Sequence, residues 1–284
     1  MSQDAPRAQG RGYLPAPRPA GGGARELVHA PRLERTVIAH RGLPSRAPEN
    51  TMASFLAAAR AGATWIETDV DLLADGTAVL IHDTALDRTT DRSGSIYTLQ
   101  AADLASIDAG SWFDPRFAGE RLPVLDAFID LLSEHGLHAN IELKPNEQGA
   151  VRSLLLVDTV ARALERLDPA CQVLVSSFSQ PLLMAFHQRH PRYATAVLYE
   201  AGAIRPDWLS VAELCGAGCI HPQDEGLSES MVALARRAGY GVNVWTVNSA
   251  ARAAELFEWG CTGVFTDVAD EFGALEGSQH PSRQ

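Results

Sequence analysis

From residue 36 onward, short apolar runs rich in β-branched residues alternate with longer stretches in which apolar positions recur at helical spacing. The short runs predict eight strands, at residues 37–39, 65–70, 139–143, 173–177, 195–199, 219–221, 242–247 and 263–266. The longer stretches predict seven helices, at residues 51–61, 124–134, 149–167, 181–189, 207–214, 228–238 and 249–259. Because alternating strands and helices form parallel sheets through right-handed crossovers, the pattern predicts an α/β fold, a single (β/α)8 TIM barrel.

One connection, after the second predicted strand, departs from this alternation. The apolar run continues through Leu73, meets Asp75-Gly76, and is followed by a second apolar run at residues 78–81. Asp-Gly between apolar runs is typical of a β-hairpin. We therefore expect a small hairpin and loop insertion over about residues 72–121, which returns His82 to the rim of the barrel. Irregular segments of that length often cover a functional site.

The two ends of the chain differ in composition from the rest. Residues 1–35 contain five Pro, five Gly and six Arg but only three acidic residues. Segments so poor in bulky apolar residues do not form a core, so we predict a disordered basic arm there. The predicted organisation is this arm over residues 1–35, a catalytic barrel over residues 36–276, and a flexible tail over residues 277–284.

Charge limits the classes of partner. The chain carries a formal net charge of −11, and without the basic arm the remainder stands at −14. Such a surface repels nucleic acid and anionic membranes, so neither is an expected partner. No stretch of the sequence has the length and apolarity of a transmembrane helix or a secretory leader, and four scattered cysteines do not suggest a disulfide scaffold. These features predict a cytoplasmic location.

Candidate chemistry lies where the predicted strands end, because the C-terminal ends of barrel strands form the active site of this fold. Seven polar residues meet this criterion: His40, Arg41, Glu67, Asp69, His82, Glu142 and Lys144. Three neighbouring carboxylates repel one another, and a divalent cation with a preference for oxygen ligands relieves that repulsion. Mg²⁺, Ca²⁺ and Mn²⁺ remain open, and zinc is disfavoured because its usual Cys and His spacings are missing. The alternative is that these acidic residues are solvated charges paired with Arg or Lys.

Five motifs in order resemble those of the glycerophosphodiester phosphodiesterases. They are His40-Arg41-Gly42, Pro48-Glu49-Asn50-Thr51, Glu67-x-Asp69, His82-Asp83 and Glu142-x-Lys144. The resemblance extends from about Thr36 to the last predicted strand and is closest to the short cytoplasmic bacterial type. It implies a TIM barrel with a small insertion and the metal-dependent hydrolysis of a small glycerophosphodiester to sn-glycerol 3-phosphate and an alcohol.

The resemblance also implies a role for each candidate residue. One divalent cation, Mg²⁺ or Ca²⁺ and alternatively Mn²⁺, is expected on Glu67, Asp69 and Glu142. The other expected roles are general acid and base for His40 and His82, phosphate binding for Arg41 and Lys144, and a wall for the glycerol at Trp245 and Phe178. Which histidine is the acid stays open, as does the attacking group, either water or the glycerol 2-hydroxyl.

Several alternatives remain at this stage. Trp245 and Phe178 are also consistent with core packing, and His221 is better explained as a structural histidine than as a substrate contact. Asn50-Thr51 most simply caps the first helix. For the whole chain, the competing functions are a phospholipase-like relative that acts on lysophospholipid or phosphoinositide and a catalytically silent barrel that binds glycerophosphodiesters.

Overall fold

The computed structural model describes residue 31 and residues 33–272. Within this part of the chain the strands are β1 Thr36–Ala39, β2 Trp65–Leu72, β3 Ala78–Leu80, β4 His138–Leu143, β5 Val173–Ser177, β6 Ala194–Tyr199, β7 Ala217–Pro222, β8 Gly241–Val244 and β9 Gly263–Thr266. The α-helices are α1 Met52–Arg60, α2 Leu125–His135, α3 Ala150–Leu164, α4 Gln180–Arg189, α5 Trp208–Leu214, α6 Glu229–Arg237 and α7 Ala250–Glu258. The predicted barrel strands and helices are all present, with ends displaced by a few residues.

The sheet closes on itself. Strand β1 pairs in parallel with both β9 and β2, so that Ile38 lies opposite Phe265 on one side and opposite Trp65 on the other. The remaining parallel strands follow in the order β8, β7, β6, β5 and β4, and the last of these pairs with β2. This closed eight-stranded barrel with helices between its strands confirms the predicted TIM barrel.

Strand β3 is the one antiparallel member of the sheet within the described residues. It pairs with the end of β2 through Val70 opposite Leu80, as the Asp75-Gly76 pair predicts. The insertion beyond it has a small apolar core of its own, formed by Leu73, Val79, Ile81, Leu86, Ile96, Leu104, Ile107, Ala109 and Leu122. The insertion is therefore an ordered lobe beside the barrel.

Two apolar layers support the barrel. The larger lies between the strands and the surrounding helices and includes the ring contact of Phe55 with Phe128, whose centroids are 4.6 Å apart. The smaller lies inside the barrel and includes Ile38, Trp65 and Phe265. Leu33, which precedes β1, is 6% exposed and belongs to this inner layer.

The predicted basic arm, apart from residue 31 and residues 33–35, and the predicted tail lie outside the described residues, so the proposed domain boundaries stay predictions. Of the helices that the structure describes, none has the length and apolarity needed to cross a membrane.

Candidate active site

A cavity of about 550 Å³ lies at the C-terminal ends of the barrel strands. Eight of the nine sequence-predicted site residues line it: His40, Arg41, Glu67, His82, Glu142, Lys144, Phe178 and Trp245. The ninth, Asp69, is 1% exposed and contacts the side chains of Arg41 and Lys144. Among the described residues, the insertion lines the cavity only through His82, Asp83 and Thr84. The expectation that the rest of the insertion covers the site therefore finds no support in the structure.

Three buried carboxylates form the centre of the site. Glu67 and Asp69 point to the same side of β2 because they are two positions apart, and Glu142 of β4 lies opposite Asp69 in the parallel register. One oxygen from each of the three lies within 4.8 Å of the others. These atoms are hard oxygen donors within the reach of a single ion.

Burial and mutual repulsion disfavour full ionisation of this cluster. Burial, with the charges of Asp69 and Glu142, raises the pKa of Glu67 well above its usual value. Burial and Asp69 raise the pKa of Glu142 to about 7. Burial also acts to raise the pKa of Asp69, but the charges of Lys144, Arg41 and His82 and the hydrogen bond from Asn50 together hold that pKa below its usual value. A bound divalent cation would remove the repulsion, so the donor set fits such an ion.

Two cationic side chains lie against the cluster. Lys144 Nζ donates to Glu142 Oε1 at 2.9 Å and to Asp69 Oδ1 at 3.2 Å. Arg41 donates from Nη1 to Glu49 Oε1 at 2.9 Å, and its Nε lies 3.3 Å from Asp69 Oδ2. Burial acts to lower the pKa of each cation, but the neighbouring carboxylates outweigh burial and raise it. Both side chains are therefore charged at neutral pH.

The backbone turn that follows β1 requires glycine at position 42. Arg41 and Gly42 both have positive φ angles, of 55° and 89°. A Cβ atom on Gly42 would lie 2.4 Å from Ser54 Oγ, which accepts the N–H of Leu43 at 2.8 Å. The turn also directs the backbone N–H of Arg41 to Glu67 Oε2 at 2.9 Å. The glycine of the His-Arg-Gly motif thus permits the close approach of α1 to this turn.

His40 is held by a carboxylate from the far end of the chain. Its Nδ1 lies 2.7 Å from Asp267 Oδ1, and Asn248 Nδ2 donates to Asp267 Oδ2 at 2.7 Å. The other ring nitrogen, Nε2, lies 4.0 Å from Glu67 Oε2. His40 therefore directs Nε2 toward the carboxylate cluster.

His82 has the same arrangement with a carboxylate next to it in sequence. Its Nδ1 lies 2.5 Å from Asp83 Oδ1, and Arg88 Nε donates to Asp83 Oδ2 at 2.6 Å. Burial lowers the pKa of His82 despite the opposing charge of Asp69, and Arg41 acts in the same direction as burial. The lowered pKa favours a neutral ring that is able to accept a proton.

Phe178 and Trp245 form an aromatic corner of the cavity. Their ring centroids are 5.4 Å apart with the planes at 87°, an edge-to-face contact. Trp245 Nε1 donates to the backbone oxygen of His221 at 2.9 Å, which fixes the orientation of the indole. Both rings line the cavity, so neither is wholly core packing.

The structure explains two further candidates from the sequence, the Asn50-Thr51 pair and His221. Thr51 accepts the N–H of Ser54 and is the N-cap of α1, whereas Asn50 Nδ2 donates to Asp69 Oδ2 at 2.9 Å. The capping interpretation thus holds for Thr51, and Asn50 orients a carboxylate of the cluster. His221 is fully buried with Nε2 3.0 Å from Asn243 Nδ2, as expected for a structural histidine.

Sequence reasoning missed Asp267, Asn248 and Arg88 as contacts of the site. Asp267 directly follows β9, so the rule that found the other strand-end residues applies to it equally. Asn248 directly follows the strand predicted over residues 242–247, so the same rule applies to it. Arg88 lies within the irregular insertion, where no periodic signal marks it.

Comparisons with known proteins agree with the family that the sequence motifs resemble. A model of the glycerophosphoryl diester phosphodiesterase family matches residues 40–271. A glycerophosphodiester phosphodiesterase of Bacillus subtilis is 32% identical over 252 residues, which cover 83% of this chain and 84% of the relative. One from Caldanaerobacter subterraneus is 32% identical, with 83% and 95% of the two chains covered. The structure of an Oleispira antarctica phosphodiesterase in complex with the product sn-glycerol-3-phosphate is 32% identical with a TM-score of 0.81, and the match covers 86% of this chain and 97% of that one.

Proposed function

The chain belongs to the glycerophosphoryl diester phosphodiesterase family, and we propose that it hydrolyses small glycerophosphodiesters to sn-glycerol 3-phosphate and an alcohol. The observation that carries this proposal is one cavity lined by two histidines and by two members of a cluster of three buried carboxylates. A relative that shares 32% of its residues was solved with sn-glycerol-3-phosphate as its product. Attack on a phosphodiester, by water or by the glycerol 2-hydroxyl, needs charge neutralisation together with proton transfer, and these residue types supply both.

We propose Glu67, Asp69 and Glu142 as the ligands of one divalent cation, either Mg²⁺ or Ca²⁺, with Mn²⁺ as the third candidate. When bound, such a cation acts as a Lewis acid on a phosphoryl oxygen and helps to orient the phosphate. Asn50 holds Asp69 in place through the 2.9 Å hydrogen bond to Oδ2. An orienting partner of this kind supports the affinity of carboxylate ligands.

Lys144 and Arg41 are the proposed phosphate-binding residues. Lys144 Nζ donates to the oxygens of Glu142 and Asp69, beside the proposed ligand cluster. With a cation held by those oxygens, the Lys144 ammonium group would be available to the phosphate. Arg41 contacts Glu49 through Nη1 and Asp69 through Nε, and its Nη2 is the donor that we assign to a phosphate oxygen.

His40 and His82 are the proposed general acid and base. Each has its Nδ1 against a carboxylate, so Nε2 is the atom left to exchange a proton with substrate. One ring accepts the proton of the attacking hydroxyl, and the other protonates the departing alkoxide, which would otherwise be a poor leaving group. Phe178 and Trp245 offer apolar surface to the carbon backbone of the glycerol.

The test is the release of glycerol 3-phosphate from glycerophosphocholine, followed by ³¹P NMR. The protein is treated with EDTA and then supplied with Mg²⁺, Ca²⁺ or Mn²⁺ in turn, and each ion is also titrated calorimetrically so that binding is measured apart from turnover. We expect activity to disappear on chelation and to return with the ion. Full activity in metal-free protein would exclude the proposed ligand set, and Glu67→Gln should bind the ion more weakly.

Two further arms address the proton transfers and the substrate. His40→Ala and His82→Ala should each lower kcat by about 10²–10⁴-fold, while His135→Ala, an exposed histidine at the end of α2, should not. Near-normal turnover of either site variant contradicts the two-histidine scheme. A cyclic phosphate in the ³¹P spectrum identifies attack by the glycerol 2-hydroxyl, and lysophosphatidylcholine in place of glycerophosphocholine tests the phospholipase alternative.

A further inference from the structure

Arg88, in the insertion, bonds to two carboxylates on opposite sides of its guanidinium group. Its Nη1 and Nη2 donate to Glu49 Oε2 and Oε1 at 2.7 and 2.8 Å, a bidentate pair. Its Nε donates to Asp83 Oδ2 at 2.6 Å. A planar fork with several fixed donors is able to hold two carboxylates at a set separation, which a single ammonium group does not do.

Each of these carboxylates holds a residue of the candidate active site through another contact. Glu49 Oε1 also accepts Arg41 Nη1 at 2.9 Å, and Asp83 Oδ1 lies 2.5 Å from His82 Nδ1. Arg41 follows β1 and His82 follows β3, so the two enter the cavity from different segments. Arg88 is the common anchor between them.

Arg88 is not itself in position to touch a substrate. Within the described part of the chain, neither Arg88 nor Glu49 lines the cavity, whereas Arg41 and His82 both do. The Arg88 side chain is 44% exposed, so its contacts with Glu49 and Asp83 lie near the protein surface and outside the apolar core. A bidentate contact that links the carboxylate partners of two site residues points to a geometric role.

We propose that Arg88 is a positioning residue for the reaction: through Glu49 and Asp83 it fixes Arg41 and His82 relative to each other. The proposal rests on the proposed function, because Arg41 and His82 are there the phosphate-binding residue and one of the proton-transfer residues. By this proposal the insertion contributes to the reaction without touching the substrate, because it fixes the relative positions of Arg41 and His82. The competing explanation is a surface contact that only fastens the insertion to the barrel.

The experiment compares Arg88→Ala and Arg88→Lys with Arg92→Ala as the matched control, all in the full chain. Arg92 lies in the same insertion and is similarly exposed, at 53%, but forms a 3.8 Å ion pair with Asp91 and donates to the backbone oxygen of Ser106. We expect both Arg88 variants to lower kcat for glycerophosphocholine by about 10- to 100-fold, because small displacements of reacting groups cost that much. KM should change less than kcat, and Arg92→Ala should match the unmodified protein.

A second readout is independent of turnover. The ring ¹H and ¹⁵N resonances of His82, assigned by their loss in His82→Gln, report the hydrogen bond to Asp83. We expect them to shift in Arg88→Ala and Arg88→Lys but not in Arg92→Ala. Unchanged kcat and unchanged His82 resonances in both Arg88 variants would overturn the proposal. Shifted resonances in a protein that does not hydrolyse glycerophosphocholine would instead reject the proposed function and leave the positioning role standing.

Discussion

His40 and Asp267 are 227 positions apart in the chain, yet His40 Nδ1 lies 2.7 Å from Asp267 Oδ1. Asp267 is fixed in turn by Asn248, which donates to Oδ2 and accepts the backbone N–H of Asp267 at 2.9 Å. Burial acts to raise the pKa of Asp267, but the contacts with His40 and Asn248 and the charge of Arg41 together outweigh burial, so the pKa lies below its usual value. The carboxylate is thus ionised at neutral pH and orients the ring.

Replacing Asp267 should therefore impair catalysis more than folding. We expect Asp267→Asn to lower kcat by about 10- to 100-fold, a part of the roughly 10²–10⁴-fold that proton transfer by a histidine contributes. The amide keeps one acceptor for the ring but loses the charge. Steady-state kinetics with glycerophosphocholine provide the measurement. Asp270→Asn is the control, since Asp270 follows the same strand but pairs with Arg46 Nε at 2.9 Å; equal kcat in the two variants would remove Asp267 from the scheme.

The stability of the metal-free protein should fall as pH rises from about 4.5 to about 7. The pKa of Glu142 is raised from 4.5 to about 7 and that of Glu67 is raised well above 4.5, so the folded state binds more protons than the unfolded state in this window. By linkage, the free energy of unfolding decreases with pH under that condition. Asp69 has a lowered pKa and contributes its own pH dependence only in more acidic solution.

A divalent cation should reverse this loss of stability. Added at about 100 times its Kd above pH 7, the ion should stabilise the protein by about 2.7 kcal/mol, and the gain should shrink toward pH 5 because protons compete for the same oxygens. Thermal unfolding followed by circular dichroism, with and without ion, measures both effects. In Glu142→Gln the decline between pH 4.5 and 7 should become shallower. A metal-induced rise in Tm that is independent of pH would contradict the assignment.

Phe178 should contribute to substrate binding more than to the chemical step. We expect Phe178→Ala to raise KM for glycerophosphocholine by about 2- to 10-fold with a smaller change in kcat, as loss of one aromatic contact implies. Trp112→Ala is a suitable control, since Trp112 is 40% exposed and does not line the cavity. A fall in kcat with constant KM would assign Phe178 a role in the reacting geometry instead.

Leu33 should matter for stability and not for catalysis. The side chain is 6% exposed and belongs to the apolar layer inside the barrel, with Ile38 and Trp65. Leu33→Ala should lower the free energy of unfolding by about 2–4 kcal/mol through the cavity it leaves. Urea titration gives that value, and kcat measured well below the transition should be unchanged. A difference below about 0.5 kcal/mol would mean that this residue does not stabilise the barrel.

The sequence predicts the barrel and most of the cavity because both follow from strand periodicity. Glu67 and Asp69 are two residues apart on a strand, so their side chains lie on the same face of the sheet. The same spacing applies to Glu142 and Lys144. Parallel strands in a closed sheet then bring these ends together without any knowledge of long-range contacts.

The contacts that orient these residues are less accessible from the sequence. Asp267 follows a strand and could have been found, but its contact with His40 depends on β1 lying beside β9 in the closed sheet. Arg88 gives no signal at all, because an exposed arginine in an irregular loop resembles any solvated charge. Its contacts with Glu49 and Asp83 become apparent only in the three-dimensional structure of the insertion.

The pairing of the first strand with the last has a consequence for how activity arises during synthesis. His40 lies at the end of β1, and its carboxylate partner follows β9, so the two meet only across the seam that closes the barrel. A nascent chain whose last strand is still within the ribosome already contains the proposed cation ligands and His82 but lacks an oriented His40. The full rate of hydrolysis thus requires a closed barrel, and a chain that ends before residue 263 should not reach it even if its other strands assemble.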